Sequence, residues 1–96
     1  MLKVVKSKAR GKKYAVLVGN RTVNFGQAGA SDYTINKDIA RRNRYLLRHY
    51  KREKWDDITT PGAWSAYLLW NKPTLEASAR NMAKVFKVKI DVTNIV

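Results

Sequence analysis

Tyr14, Val16 and Val18 alternate with Ala15 and Leu17, Gly19-Asn20 supplies turn chemistry, and Val23 and Phe25 then alternate with Thr22 and Asn24. A period of two on either side of such a dipeptide predicts a β-hairpin with a two-residue turn. Before it, Leu2, Val4 and Val5 allow a short strand. Yet Lys3, Lys6, Lys8, Arg10, Lys12 and Lys13 meet no acid, and Gly11 breaks the run. Residues 1–13 therefore read as a basic N-terminal arm, with the domain occupying residues 14–96.

After the hairpin the period changes. Gly26 to Thr34 is a loop rich in Gly, Ser and Asp, and Asn36 stands as a helix cap with Asp38 in the first turn, near the positive end of the helix dipole. The spacing predicts a helix from Lys37 to Trp55. Ile39, Asn43, Leu46, Leu47 and Tyr50 form its inward stripe, and Arg41, Arg44, Arg48, Lys51 and Arg52 form an outward basic ridge. Thr60-Pro61 starts a short helix holding Trp64, Tyr67, Leu68 and Trp70, which Asn71-Lys72-Pro73 ends. A further helix carries Leu75, Ala79, Met82 and Phe86 on one face and Arg80, Lys84 and Lys87 on the other. Val88, Ile90 and Val92 alternate with charged neighbours as a closing strand, able to pair with the hairpin. The order is β-β-α-α-α-β, and the class is α+β.

Ninety-six residues suffice for one domain, and three Trp, five Tyr and two Phe suffice to seed its core. The absence of cysteine excludes a disulfide scaffold, a thiolate zinc site and a cysteine nucleophile. No apolar run approaches the length of a membrane span. Charge dominates: 20 Lys and Arg against 7 Asp and Glu give a net +13 and a pI of about 10.4. Such a surface attracts nucleic acid, acidic proteins or anionic membrane faces.

Chemistry for catalysis is sparse. His49 is the sole histidine, so no His pair can hold a metal or divide acid and base roles. It reads as a helix residue bonded to a neighbouring loop. Asp56-Asp57 is the one adjacent acidic pair, and it reads as the end of the basic helix, bonded to it. No nucleophile–base pair is visible, so neither an enzyme, a metal nor a cofactor is expected. Gly26-Gln27-Ala28-Gly29-Ala30-Ser31 has the glycine and hydroxyl of a phosphate cradle but lacks the Lys-Ser/Thr ending of a P-loop. It reads as a turn that Ser31 and Asp32 close through side-chain bonds to the backbone.

The basic groups are the stronger signal. Arg41, Arg44, Arg48 and Arg52 suit bidentate binding of carboxylate or phosphate. Lys51 and the arm cations Lys3, Lys6, Lys8, Arg10, Lys12 and Lys13 extend that surface. No pair of exposed aromatics is spaced as a base-stacking platform. Trp64 and Trp70, six apart on a short helix, cannot both face one direction. Either both are core, one packed on the hairpin and the other under the long helix with Trp55, or one is an exposed partner anchor.

The tract Trp64-Ser65-Ala66-Tyr67-Leu68-Leu69-Trp70-Asn71-Lys72-Pro73 adds a further signal. So do Ser31-Asp32-Tyr33-Thr34, Lys37-Asp38, Arg44-Tyr45, Arg48-His49 and Glu53-Lys54-Trp55. Together, over residues 14–86, they resemble a small, basic, uncharacterised protein family of large double-stranded DNA viruses. The chain departs from that pattern at Ile39, where many relatives carry proline, and in a shorter link before Gly62. The resemblance implies a virion protein, present in host cytoplasm or nucleus before assembly. The expected role is a minor capsid component whose arm and Arg-rich helix dock on acidic faces of larger capsid subunits. The alternative is a nucleic-acid-binding protein that packages or condenses genomic DNA through the same ridge.

Overall fold

The hairpin forms where the alternation places it. In the computed structural model, which describes residues 1–96, β2 (Lys12–Val18) and β3 (Arg21–Gln27) pair antiparallel, with Tyr14 opposite Phe25 and Val16 opposite Val23. Gly19 takes φ +63° while Asn20 stays at negative φ, as a type II′ turn requires. This leaves Val16, Val23 and Phe25 on one face, all buried.

The sequence reading puts residues 1–13 outside the domain; the structure corrects it. Leu2–Lys6 forms β1, an interior strand of a sheet ordered β3-β2-β1-β4. Val4 faces Val16 across the ladder and is fully buried. Leu2 and Val4 share the core face with the hairpin, a period of two that the flanking lysines obscure. Lys12 and Lys13 belong to β2, and only the turn between β1 and β2 projects.

Helices cover a single face of the sheet. The other face carries Lys3, Val5, Leu17, Thr22 and Asn24, with the Ser7 hydroxyl donating to Asn24 Oδ1 at 2.6 Å. A separate turn, α1 (Tyr33–Asn36), precedes the expected helix, and Lys37, expected to open that helix, instead ends α1 at φ +53°. Asp32 caps α1, and Asp38, not Asn36, caps α2 (Ile39–His49) by accepting from the Arg41 amide. Beyond His49 the chain leaves the helix, well short of Trp55.

The phase of α2 also differs from the expected stripe. Arg42, Tyr45, Leu46 and His49, at i, i+3, i+4 and i+7, face the protein. Tyr45 stacks on Trp70 with ring centres 4.3 Å apart, and Arg42 Nε donates to the Asn71 carbonyl at 2.9 Å. Those anchors turn Ile39, Leu47 and Tyr50 outward, each at least half exposed.

Thr60 caps α3 (Pro61–Trp64), which runs on into a π-helical turn over Ser65–Leu69. The wider π turn changes the side-chain phase, so that Trp64, Leu68, Leu69 and Trp70 are all buried. Trp64 stacks on Phe25 and donates its indole N–H to the Ile58 carbonyl at 2.7 Å. Neither Trp64 nor Trp70 is therefore a surface anchor; both belong to the core. Helix α4 (Leu75–Phe86) supplies Ala79 and Met82 to the same cluster. The closing strand β4 is only Ile90–Asp91, and it pairs parallel with β1, not with the hairpin.

Candidate functional site

Helix α2 carries the first feature. Its outward side presents Arg41, Arg44 and Arg48 at spacings of three and four, and Lys51 and Arg52 continue the basic patch just beyond the helix. All five are exposed. Beside them, at the same spacing, runs the exposed row Ile39, Asn43, Leu47 and Tyr50. Leu47 is 71% exposed.

The remaining predicted cations do not join this patch in sequence. Lys3 and Lys6 project from β1, Lys8 and Arg10 from the β1–β2 turn, and Lys12 from the start of β2, all exposed. Lys13 is the one Lys or Arg of the chain held in an ion pair. The positive field is therefore scarcely neutralised by the protein's own acids.

A cleft of about 380 Å³ adjoins the inner edge of α2. Lys12, Lys13 and the Gly26–Asp32 loop form one wall, and Tyr45, Arg48 and His49 form another. Glu53, Gly62 and Ser65 close the third side, over a floor of Phe25, Leu69 and Trp70. The loop needs glycine at Gly26, where φ is +76° and a Cβ would sit 3.0 Å from Leu69 Cδ1.

Two carboxylates in the cleft are held in place. Asp32, almost wholly buried, accepts from Lys13 Nζ at 2.7 Å, from the Thr34 amide at 2.9 Å and from the Thr34 hydroxyl. Glu53 meets His49 Nδ1 at 2.9 Å and accepts from the Trp55 indole at 3.0 Å. Gly62 permits this seat, because a Cβ there would lie 2.5 Å from Glu53 Oε2. His49 is thus bonded beside its own helix, as expected, and its ring stacks on Tyr45 at 4.1 Å. The Asp56-Asp57 reading changes: Asp57 bonds the Thr59 amide and hydroxyl instead of the helix, which holds its carboxyl below the usual range. No three His, Asp or Glu side chains gather where they could hold a metal ion.

Sequence reading missed the assembly of this cleft, since its walls are far apart along the chain. Only the His49–Glu53 spacing of four was locally legible.

Burial pushes the Tyr45 hydroxyl up to about 12, and the negative charge of Glu53 adds to it, against a bond from Ser65 and the charge of Arg48. Tyr45 therefore stays an O–H donor at any physiological pH. Because the folded chain holds this proton more tightly than the unfolded chain, its contribution to stability is complete below pH 10.0 and is lost as pH rises towards about 12. Thermal melts across that window should fall for the natural chain and fall less for Tyr45→Phe. Equal alkaline limbs would separate Tyr45 from the effect.

Comparison with known proteins gives one match. A model described as a family of unknown function (DUF5754) covers residues 2–49, which run from β1 to the end of α2 and include Lys12, Lys13, the Gly26–Asp32 loop, Arg48 and His49. The chain belongs to that family. No curated protein and no solved structure matches.

Proposed function

We propose that this DUF5754 protein is a minor structural component of a large double-stranded DNA virus particle, docking on acidic surfaces of larger capsid subunits. The observation that carries the docking mode is the outer side of α2. Unpaired arginines there lie beside exposed Ile39, Leu47 and Tyr50. Protein interfaces combine an apolar or aromatic anchor with a charged, hydrated rim. An acidic subunit with an apolar hollow uses both rows. The viral setting rests on the motif resemblance. Lys3, Lys6, Lys8 and Arg10, fixed on β1 and its turn, act as a second rigid basic region in place of a flexible tether.

Quantitative mass spectrometry of purified particles, separated into shell and DNA-containing core, tests this reading. The expected result is fixed stoichiometry to the shell that survives nuclease and is lost in Leu47→Asp, a surface change that leaves the fold intact by circular dichroism. Recovery with the DNA, released by nuclease or salt, would replace it with the packaging reading. Absence from both fractions would defeat both. The packaging reading makes its own demand: glutamine at Arg41, Arg44, Arg48 and Arg52 must flatten the salt dependence of DNA binding.

A further inference from the structure

The docking reading leaves the cleft unused, although it is the best-built polar feature of the molecule. Its acids are already satisfied. Asp32 is occupied by Lys13 and Thr34, and Glu53 by His49 and Trp55. The groups that remain are donors. Lys12 and Arg48 line the cleft from two different walls, and neither has an ion-pair partner. Ser31 Oγ accepts from Asn36 Nδ2 at 3.2 Å, which leaves its own hydroxyl proton to give. Gln27 lines the same wall, and Tyr45 keeps its proton.

An unfilled set of donors, in a cleft where Lys12, Lys13 and Arg48 outnumber Asp32 and Glu53 by one, calls for an acceptor-only, anionic group. The floor selects further. Phe25, Leu69 and Trp70 are buried, and the rings of Phe25 and Trp70 stack on Trp64 and Tyr45. The exposed lining is apolar as well as polar, so the organic part of an ester has a surface to lie on while the donors take the anion. The volume falls at the lower end of small-ligand sites, about 300–1,000 Å³, and is too small for a folded segment. Donors arriving from separate walls suit a tetrahedral oxyanion better than a planar carboxylate, and Arg48 can grip such a group with two N–H bonds.

We propose that this cleft binds the phosphoryl group of a small phosphate ester, with Lys12 and Arg48 as the charged contacts and Ser31 and Gln27 as hydrogen-bond donors. The Lys13–Asp32 pair then has a positioning role, holding the loop that carries Ser31 against β2, while Gln27 is placed by its own pairing with Lys12. The site stands apart from the α2 docking face, and Arg48 alone borders both.

The test is an NMR titration of the full, isotope-labelled chain with inorganic phosphate and then with glycerol phosphate, each against sodium chloride at matched ionic strength. Saturable shifts are expected at Gly26, Gln27 and Ser31, and the ester should bind at least as well as the free ion. Lys12→Gln and Arg48→Gln should each weaken binding about tenfold, the loss typical of one charge-assisted hydrogen bond. Arg41→Gln and Arg44→Gln, on the ridge outside the cleft, should leave it unchanged. Shifts reproduced by chloride, or weakening shared equally by the ridge variants, would overturn the proposal in favour of diffuse attraction. An equal response to acetate would overturn the phosphoryl assignment. All four substitutions lie on exposed side chains, so a failure to fold would not obscure the result, and a failure of particle incorporation would leave this titration unaffected.

Discussion

Trp64→Ala is expected to cost about 3–5 kcal/mol, the largest single loss available in this chain. Trp64 is fully buried where sheet and helices meet, so truncation opens a cavity bounded by Phe25 on the sheet side. It also orphans the Ile58 carbonyl, which loses the indole N–H at 2.7 Å. Domains of this size have only about 5–15 kcal/mol in total, so the variant should sit close to its unfolding midpoint without denaturant. With a urea slope of about 1 kcal/mol/M, the midpoint should fall by at least ~2 M. Trp64→Phe keeps the stack and loses the hydrogen bond, and should fall about midway. A midpoint for the alanine variant within experimental error of the natural chain would show that Trp64 is not the centre of the core.

The second large effect belongs to the Lys13–Asp32 pair. The side chains are only 13% and 3% exposed, and the pair is closed at 2.7 Å. Asp32→Ala leaves the Lys13 ammonium without a counter-ion and removes the cap of α1 at the Thr34 amide. Breaking a buried pair from one side costs about 3–5 kcal/mol. Replacing both members should cost less than the single change. Lys13→Met with Asp32→Asn removes the stranded charge while the amide oxygen still accepts from Thr34. Urea denaturation of Lys13→Met, Asp32→Asn and the double completes a mutant cycle, with an expected coupling of at least ~1 kcal/mol. Strict additivity would mean that water, not Lys13, satisfies Asp32.

The elements that could be read from the chain were those specified by neighbours. Gly19-Asn20 between alternating runs gives the hairpin, and Thr60-Pro61 gives the start of α3. The errors came where tertiary contacts chose among local options. Leu47 and Leu46 are equivalent in the pattern, and only the Tyr45–Trp70 stack and the Arg42 bond to Asn71 decide which one is covered. Leu2 and Val4 were masked by lysines, Lys3 on the opposite face and Lys6 exposed at the end of the strand. The π turn has no composition signal of its own, so the sequence left two core tryptophans and one exposed anchor as open alternatives. The cleft was hidden for the simplest reason, because its donors come from β2, the loop after β3 and α2, which meet only once the chain has folded.

The pairing of Leu2 with Ile90 and Lys3 with Asp91 has a kinetic consequence. The hairpin and α4 close over short loops, but the outer side of β1 waits for residues made almost a whole chain later. Joining such distant segments carries the largest loop-closure entropy in the molecule and should come late in folding. A nascent or C-terminally trimmed chain would therefore hold β1 with one row of peptide groups bare, a template for strand exchange between copies. The two-residue β4 is short for a strand, yet it is the clasp that covers the Leu2–Lys3 part of that edge.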